Sequence, residues 1–203
     1  MGHGCVKPVT VGEQAENFNL DTYLPTEFGF GKISLDELKN SGKWVVLVFY
    51  PADFTFVCST ELADFADKYE DFKKAGAEVI TISTDTQFTH LAWKREEKSL
   101  ANAKYPMGAD PTGKISKMFG VYDRGTGLAL RGTFIINPQG FVVASEVNFY
   151  NVGRSAAETL RKLKASIHVA AHPEQACPAN WKEGEKTLTP SAELVGKVYE
   201  ELC

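Results

Sequence analysis

The chain has 203 residues, 43% hydrophobic and 24% charged, room for one well-buried domain with an appendage rather than two domains. A formal net charge of −4 leaves no basic footprint for nucleic acid or anionic lipid. The start, MGHGCVKPVT, has no apolar core of a signal peptide, and no run approaches the ~18 apolar residues of a membrane span, so the expected location is the cytoplasm.

Residues 1–42 read as a short strand region with turns. KWVVLVFY (43–50) is a continuous apolar run, as expected of a central strand covered on both faces. After a short loop, Leu62, Phe65, Ala66, Tyr69 and Phe72 recur at helical spacing until Gly76, a residue suited to ending a helix. AEVITIS (77–83) reads as the next strand. Thr84 and Asp85 then offer caps for a helix carrying Phe88, Leu91, Ala92 and Leu100, with Trp44 and Trp93 as core residues. RGTFIIN (131–137), a Pro-Gln-Gly turn and FVVASEV (141–147) predict a hairpin. Ser155 and Glu158 have capping-box spacing ahead of Ala156, Leu160, Leu163, Ile167 and Ala170, the cleanest helical pattern in the chain. Beyond residue 172 the segment HPEQACPANWKEGEKTLTP loses periodicity, and Leu194, Val195, Val198 and Leu202 suggest a last amphipathic turn weakened by Gly196.

This order is that of an α/β, thioredoxin-like domain: a central mixed sheet flanked by helices, with N-terminal strands. The expected division is a domain over residues 1–171 and a tail over 172–203. The glycines around 29–31 and 125–127 do not open a helix after a strand, as a dinucleotide fingerprint must, and are read as loops. No cofactor is therefore expected.

Four cysteines, Cys5, Cys58, Cys177 and Cys203, lie far apart, so a disulfide scaffold is not expected in a reducing compartment. Cys58 stands in FYPADFTFVCSTEL (49–62), where a buried strand gives way to a helix. Free amide groups and the helix dipole favour an anion there, here a thiolate. Pro51 and Thr55 complete the spacing P-x-x-x-T-x-x-C. Proline would hold the loop and shield the sulfur, and threonine would hydrogen-bond a small polar substrate. Arg131, opening RGTFIIN, is placed to bring a cation across the sheet. Such a set suits attack of sulfur on a peroxide oxygen, because donors aimed at both oxygens stabilise the departing alkoxide. The sulfenic acid formed would condense with a second thiol.

PADFTFVCSTEL, RGTF and the tail ACPANWKEGEKTL closely resemble the typical two-cysteine peroxiredoxins, nearest to the peroxidase subunit of bacterial alkyl hydroperoxide reductases. The resemblance implies that Cys58 is the peroxidatic cysteine and that Thr55 and Arg131 bind peroxide, with Pro51 as the shield. It further implies that Cys177, followed by Pro178, is the resolving cysteine, forming a disulfide with Cys58 of another chain. It implies a homodimer assembling into a decameric ring, and regeneration by a flavoprotein disulfide reductase or a thioredoxin-type protein. A ring-forming holdase chaperone is the alternative function.

Two departures stand out. Ser59 occupies the place where the family has proline, and VYEELC lacks the Tyr-Phe ending of oxidation-sensitive relatives, which suggests a robust enzyme. Glu61 reads as a complement to the helix dipole, while the resemblance implies a structural role for it around the loop; His90 reads as a surface or packing residue, and Trp181 as an anchor for the tail or for Cys177. His168 and His172 have the i, i+4 spacing of a metal pair, but no third ligand is evident. Cys5 and Cys203 read as idle terminal thiols.

Overall fold

The computed structural model describes residues 7–202, so Cys5 and Cys203 lie outside the described residues. Two compact units divide the chain, one ending at Ala156 and one beginning at Ala157.

The first unit holds β1 (Asn19–Leu24), β2 (Gly29–Ser34), α1 (Leu35–Asn40), β3 (Trp44–Phe49), α2 (Phe56–Lys74) and β4 (Ala77–Ser83). They are followed by α3 (Gln87–Glu96), a 3-10 turn at Lys98–Leu100, β5 (Met107–Ala109), α4 (Lys114–Met118), β6 (Arg131–Ile136) and β7 (Val142–Asn148). The seven strands form one mixed sheet in the order β2-β1-β5-β4-β3-β6-β7. All six residues of β3 are buried, which is why it takes the interior, parallel to β4 and antiparallel to β6.

Alternation along β3 sends Val45, Leu47 and Phe49 to one face of the sheet. There they join Ile80, Ile82, Ile115, Phe119 and Phe134 in the main core. Helix α2 packs against β4, and its buried stripe is Leu62, Phe65, Ala66, Tyr69 and Phe72, as the helical spacing predicted. Burying each of the larger side chains contributes roughly 1.5–3 kcal/mol. The strand at β3, the strand at β4 and the hairpin β6–β7 agree with the sequence reading to within a residue or two.

The structure also corrects that reading. A short helix, α1, occupies what was expected to be strand and turn; its amino end is held by Asn17, whose Oδ1 accepts from Asp36 N (3.0 Å) and Ser34 Oγ (3.3 Å). Gly29 and Gly31 lie in β2 rather than a loop. Helix α3 is capped by Thr86, not by Thr84 or Asp85, and ends at Glu96, leaving Leu100 to the separate 3-10 turn. Its buried face is His90 and Trp93, whereas Phe88 is exposed.

The second unit is almost the whole of α5 (Ala156–Ala171), the tail from 172, and α6 (Val198–Leu202). In the tail, Ala176 and Leu188 exchange backbone hydrogen bonds at 2.8 and 2.9 Å, so the segment bearing Cys177 is folded as a loop closed on itself. Among the described residues, no helix is long and apolar enough to cross a membrane.

Candidate active site

Chain direction brings the loop 50–55 out of the end of β3 and turns it sharply into α2. Phe54 makes the turn with φ of 56°, a left-handed conformation that a non-glycine residue adopts only when its surroundings impose it. Pro51, within this loop, is buried. Thr55 is the N-cap residue in an extended conformation, but its side chain caps no helical amide. Its hydroxyl donates instead to Ala52 O at 2.7 Å, so the oxygen's remaining lone pairs are left to accept.

Cys58 is the third residue of α2 and is fully buried as a free thiol. Arg131, the first residue of β6, points a guanidinium at it, with Nη1 3.4 Å from Sγ. The sulfur, 73 positions earlier in sequence, thus lies beside the helix's amino end and a guanidinium. Arg131 Nε donates to Tyr150 O (2.7 Å), which fixes the plane of the group, while Nη1 also donates to Glu61 Oε2. Tyr150 is held in turn by Asp123, whose Oδ2 accepts from its hydroxyl at 2.6 Å.

Glu61 is a larger part of the site than expected. Its Oε1 accepts from Arg154 N (2.9 Å) and Arg154 Nε (2.8 Å), and its Oε2 accepts from Arg131 and from Arg154 Nη2 (3.2 Å). Arg154 Nη1 also donates to Thr133 Oγ1 on β6. Of the two readings of Glu61, the geometry favours the structural one that the resemblance implied: its carboxylate clamps two guanidiniums. The three side chains are all but sealed from solvent, at 1%, 4% and 0% exposure for Glu61, Arg131 and Arg154. Two cations share one carboxylate, so the cluster carries one positive charge in excess, and Cys58 Sγ is where that excess is presented. An anion at the sulfur, or an oxygen gaining negative charge beside it, is stabilised there.

Arg154 was missed in the sequence. Its only local signal is an arginine two residues ahead of a helix, where the dipole disfavours a cation unless an anion is near. Ser59 is the fourth residue of α2, and its hydroxyl donates back to Phe56 O at 2.8 Å. Of the two readings of His90, surface or packing, the structure shows the packing one. The residue is fully buried, with Asp53, Tyr50 and Gly108 around its ring.

Within the second unit, Cys177 is half-buried, its Sγ 3.9 Å from Ala165 O. Burial pushes this thiol up from its ordinary value, against the pull of the Arg161 guanidinium. Trp181 anchors the tail: its ring lies 4.9 Å from that of His168, its Nε1 donates to Glu185 O, and its carbonyl accepts from Arg161. The rings of His168 and His172 stack at 4.5 Å, with His168 Nε2 hydrogen-bonded to Gln175 and His172 Nδ1 to His168 O.

Comparison with known proteins shows the family. Residues 11–145 match the AhpC/TSA family, and residues 167–202 match the C-terminal domain of 1-Cys peroxiredoxin. The chain is 51% identical to alkyl hydroperoxide reductase C of Salmonella typhimurium over 166 residues, covering 82% of this chain and 89% of that protein. It is 45% identical to the Pseudomonas aeruginosa protein of the same name over 93% of this chain and 98% of that one. Among solved structures, reduced Plasmodium vivax 2-Cys peroxiredoxin superposes with a TM-score of 0.87 at 32% identity, covering 95% of this chain and all of that one. Enterococcus faecalis AhpC gives 0.79 at 38% identity, covering 84% and 99%.

Proposed function

The chain belongs to the AhpC/TSA family and is a peroxiredoxin-type thiol peroxidase with a thioredoxin-like fold, and from that premise we propose how it works. It acts on peroxide and is served by a reductase partner. Its substrates are hydrogen peroxide and alkyl hydroperoxides. Cys58 is the attacking group: its sulfur takes the terminal oxygen of ROOH, the O–O bond breaks, and RO⁻ leaves, taking up a proton as ROH. Arg131 donates to the oxygens as charge develops, Thr55 accepts from the hydroperoxide O–H, and Pro51 keeps the loop closed over them. The observation that carries this reading is the 3.4 Å approach of Arg131 Nη1 to Cys58 Sγ inside a sealed, net-positive cluster.

The sulfenic acid on Cys58 is then attacked by Cys177 of a second chain, giving a disulfide and water. A sulfur fully buried in the first turn of α2 must leave its pocket to do so, so that turn unwinds. A flavoprotein disulfide reductase or thioredoxin-type protein supplies the two electrons that restore both thiols, in the cytoplasm. Residues 1–171 thus act as the peroxidase domain and 172–203 as the redox tail. The chain forms a homodimer built into a decameric ring, whose contacts would cover exposed aromatic residues such as Phe28, Phe54, Phe88 and Phe149, and a holdase is the alternative function.

Peroxide consumption tests the reading. Cys58→Ser should abolish it with any reductant, while Cys177→Ser should keep it with a small dithiol and lose it with the protein reductant. Activity surviving in Cys58→Ser would overturn the assignment. Holdase action should survive Cys58→Ser.

A further inference from the structure

We propose that Asp53 and His90 form a buried pair holding one shared proton, and that this pair positions the loop 51–55 for peroxide, an inference that rests on the peroxidase reading above. His90 Nε2 lies 3.1 Å from Gly108 O, and a carbonyl only accepts, so Nε2 carries a hydrogen. Nδ1 lies 2.8 Å from Asp53 Oδ2, with both side chains fully buried. A bare Nδ1 against an ionised carboxylate would set two lone pairs face to face in a buried contact too short for anything to come between them. A proton therefore sits between them, whichever atom holds it, and the pair is neutral as a unit.

The surrounding groups fit that state. Asp53 Oδ1 accepts from Tyr50 Oη at 2.7 Å, and burial keeps that phenol protonated as a donor. Burial also raises the Asp53 carboxyl toward its protonated form, opposed by His90 and Tyr50, while the charge of nearby Asp85 adds to the rise. Asp85 is tied up from another side: its Oδ2 accepts from Asp53 N (2.9 Å) and Ser83 Oγ (2.7 Å).

What the pair holds is the loop. Asp53 is anchored by side chain to β3's end and α3, and by backbone to the end of β4 through Asp85. The next residue is the left-handed Phe54, and the one after is Thr55. Trp93, one turn along α3 from His90, packs its ring 5.8 Å from Tyr50 and 6.3 Å from Phe54. A backbone conformation of that kind persists only where neighbours over-determine it. Asp53 and His90 act on the reaction through the placement of Thr55 and Pro51, as positioning residues.

The test uses the whole chain. Asp53→Asn replaces the shared proton by an amide N–H: its oxygen accepts from Tyr50 and its nitrogen donates to Nδ1 of a neutral His90. The rate of Cys58 sulfenic acid formation is expected to stay within about threefold of wild type. Asp53→Ala and His90→Ala, which leave the partner unpaired and the loop unheld, are expected to lose about tenfold to a hundredfold. Nitrogen-15 NMR supplies a readout that a merely structural role would not move. Wild type should show an exchangeable proton bridging His90 Nδ1 in addition to Nε2–H, and Asp53→Asn should show a neutral ring protonated at Nε2 alone. A bare Nδ1 in wild type, or an Asp53→Asn rate as low as that of Asp53→Ala, overturns the proposal, and the NMR arm stands even if an alanine variant does not fold. Failure of wild-type Cys58 to react with peroxide would instead strike at the peroxidase reading, and the NMR result would still decide the shared proton.

Discussion

Replacing Glu61 by glutamine tests the charge balance of the site without changing its shape. Every acceptor position on this carboxylate is in use: Oε1 serves Arg154 N and Nε, and Oε2 serves Arg131 Nη1 and Arg154 Nη2. An amide has only one accepting end. In either orientation its NH₂ must point at a guanidinium, and both cations lose their counter-charge in a sealed site. Two unit charges about 4 Å apart interact by about 4 kcal/mol at an effective dielectric constant near 20. Breaking a buried pair by removing one partner typically costs about 3–5 kcal/mol, which agrees. For a chain of this size, each kcal/mol lowers Tm by about 2–4 °C, so Glu61→Gln should melt roughly 6–20 °C below wild type. Calorimetry reads this directly, with circular dichroism confirming the fold at 20 °C. The reaction with peroxide should also slow, because Arg131 is no longer held by its carboxylate. A drop in Tm below about 2 °C with unaltered reactivity would refute the argument that this carboxylate holds the two guanidiniums in place.

Further outcomes follow from other parts of the structure. Ser59→Pro removes the first amide able to bond within α2 and the hydroxyl bond to Phe56 O, so the first turn should unwind more readily. Disulfide formation should then quicken and sulfinic acid at Cys58 should fall further; identical rates in mass-spectrometric time courses would remove the idea. Wild type itself should show little sulfinic acid at moderate peroxide. Tyr50, Tyr69 and Tyr105 all have hydroxyls raised above the ordinary range, chiefly by burial. Their raised values favour the protonated fold, so stability is intact below about pH 10 and lost as pH climbs beyond it, by about 1.4 kcal/mol per pH unit for each tyrosine. Denaturant titrations showing flat stability there would contradict this. Trp181→Ala removes the anchor of the tail, at a cost of about 3–5 kcal/mol within that unit. Limited proteolysis around residues 172–190 should accelerate, and Cys177 should be captured sooner by Cys58 sulfenic acid.

How much was legible in the sequence depended on how each signal is written. β3 and β4 were readable because strands buried on both faces are continuous apolar runs, and α2 because its stripe from Leu62 to Phe72 repeats over about three turns. β5 and α4 have three and five residues, too short for any period to emerge, and α1 was passed over although Ser34 and Glu37 have the spacing of a cap. Cys58, Thr55 and Pro51 were visible as a local motif, and Arg131 as a cation opening a strand. Arg154 and its pairing with Glu61 were not, because their meaning lies in a contact between residues 93 positions apart. His90 was left between surface and packing for a related reason: a polar residue on a helix can be either until a buried carboxylate is known to face it. The left-handed turn at Phe54 had no sequence signal, since such a turn normally calls for glycine.

The most direct test of the account is to treat the fully reduced protein with one equivalent of hydrogen peroxide, quench it with an alkylating agent, and map the linked peptides by mass spectrometry. The expected product is a covalent dimer in which the Cys58 peptide of one chain is joined to the Cys177 peptide of another, absent from both Cys→Ser variants. A product that stays monomeric, or a link that forms without Cys58, would contradict it.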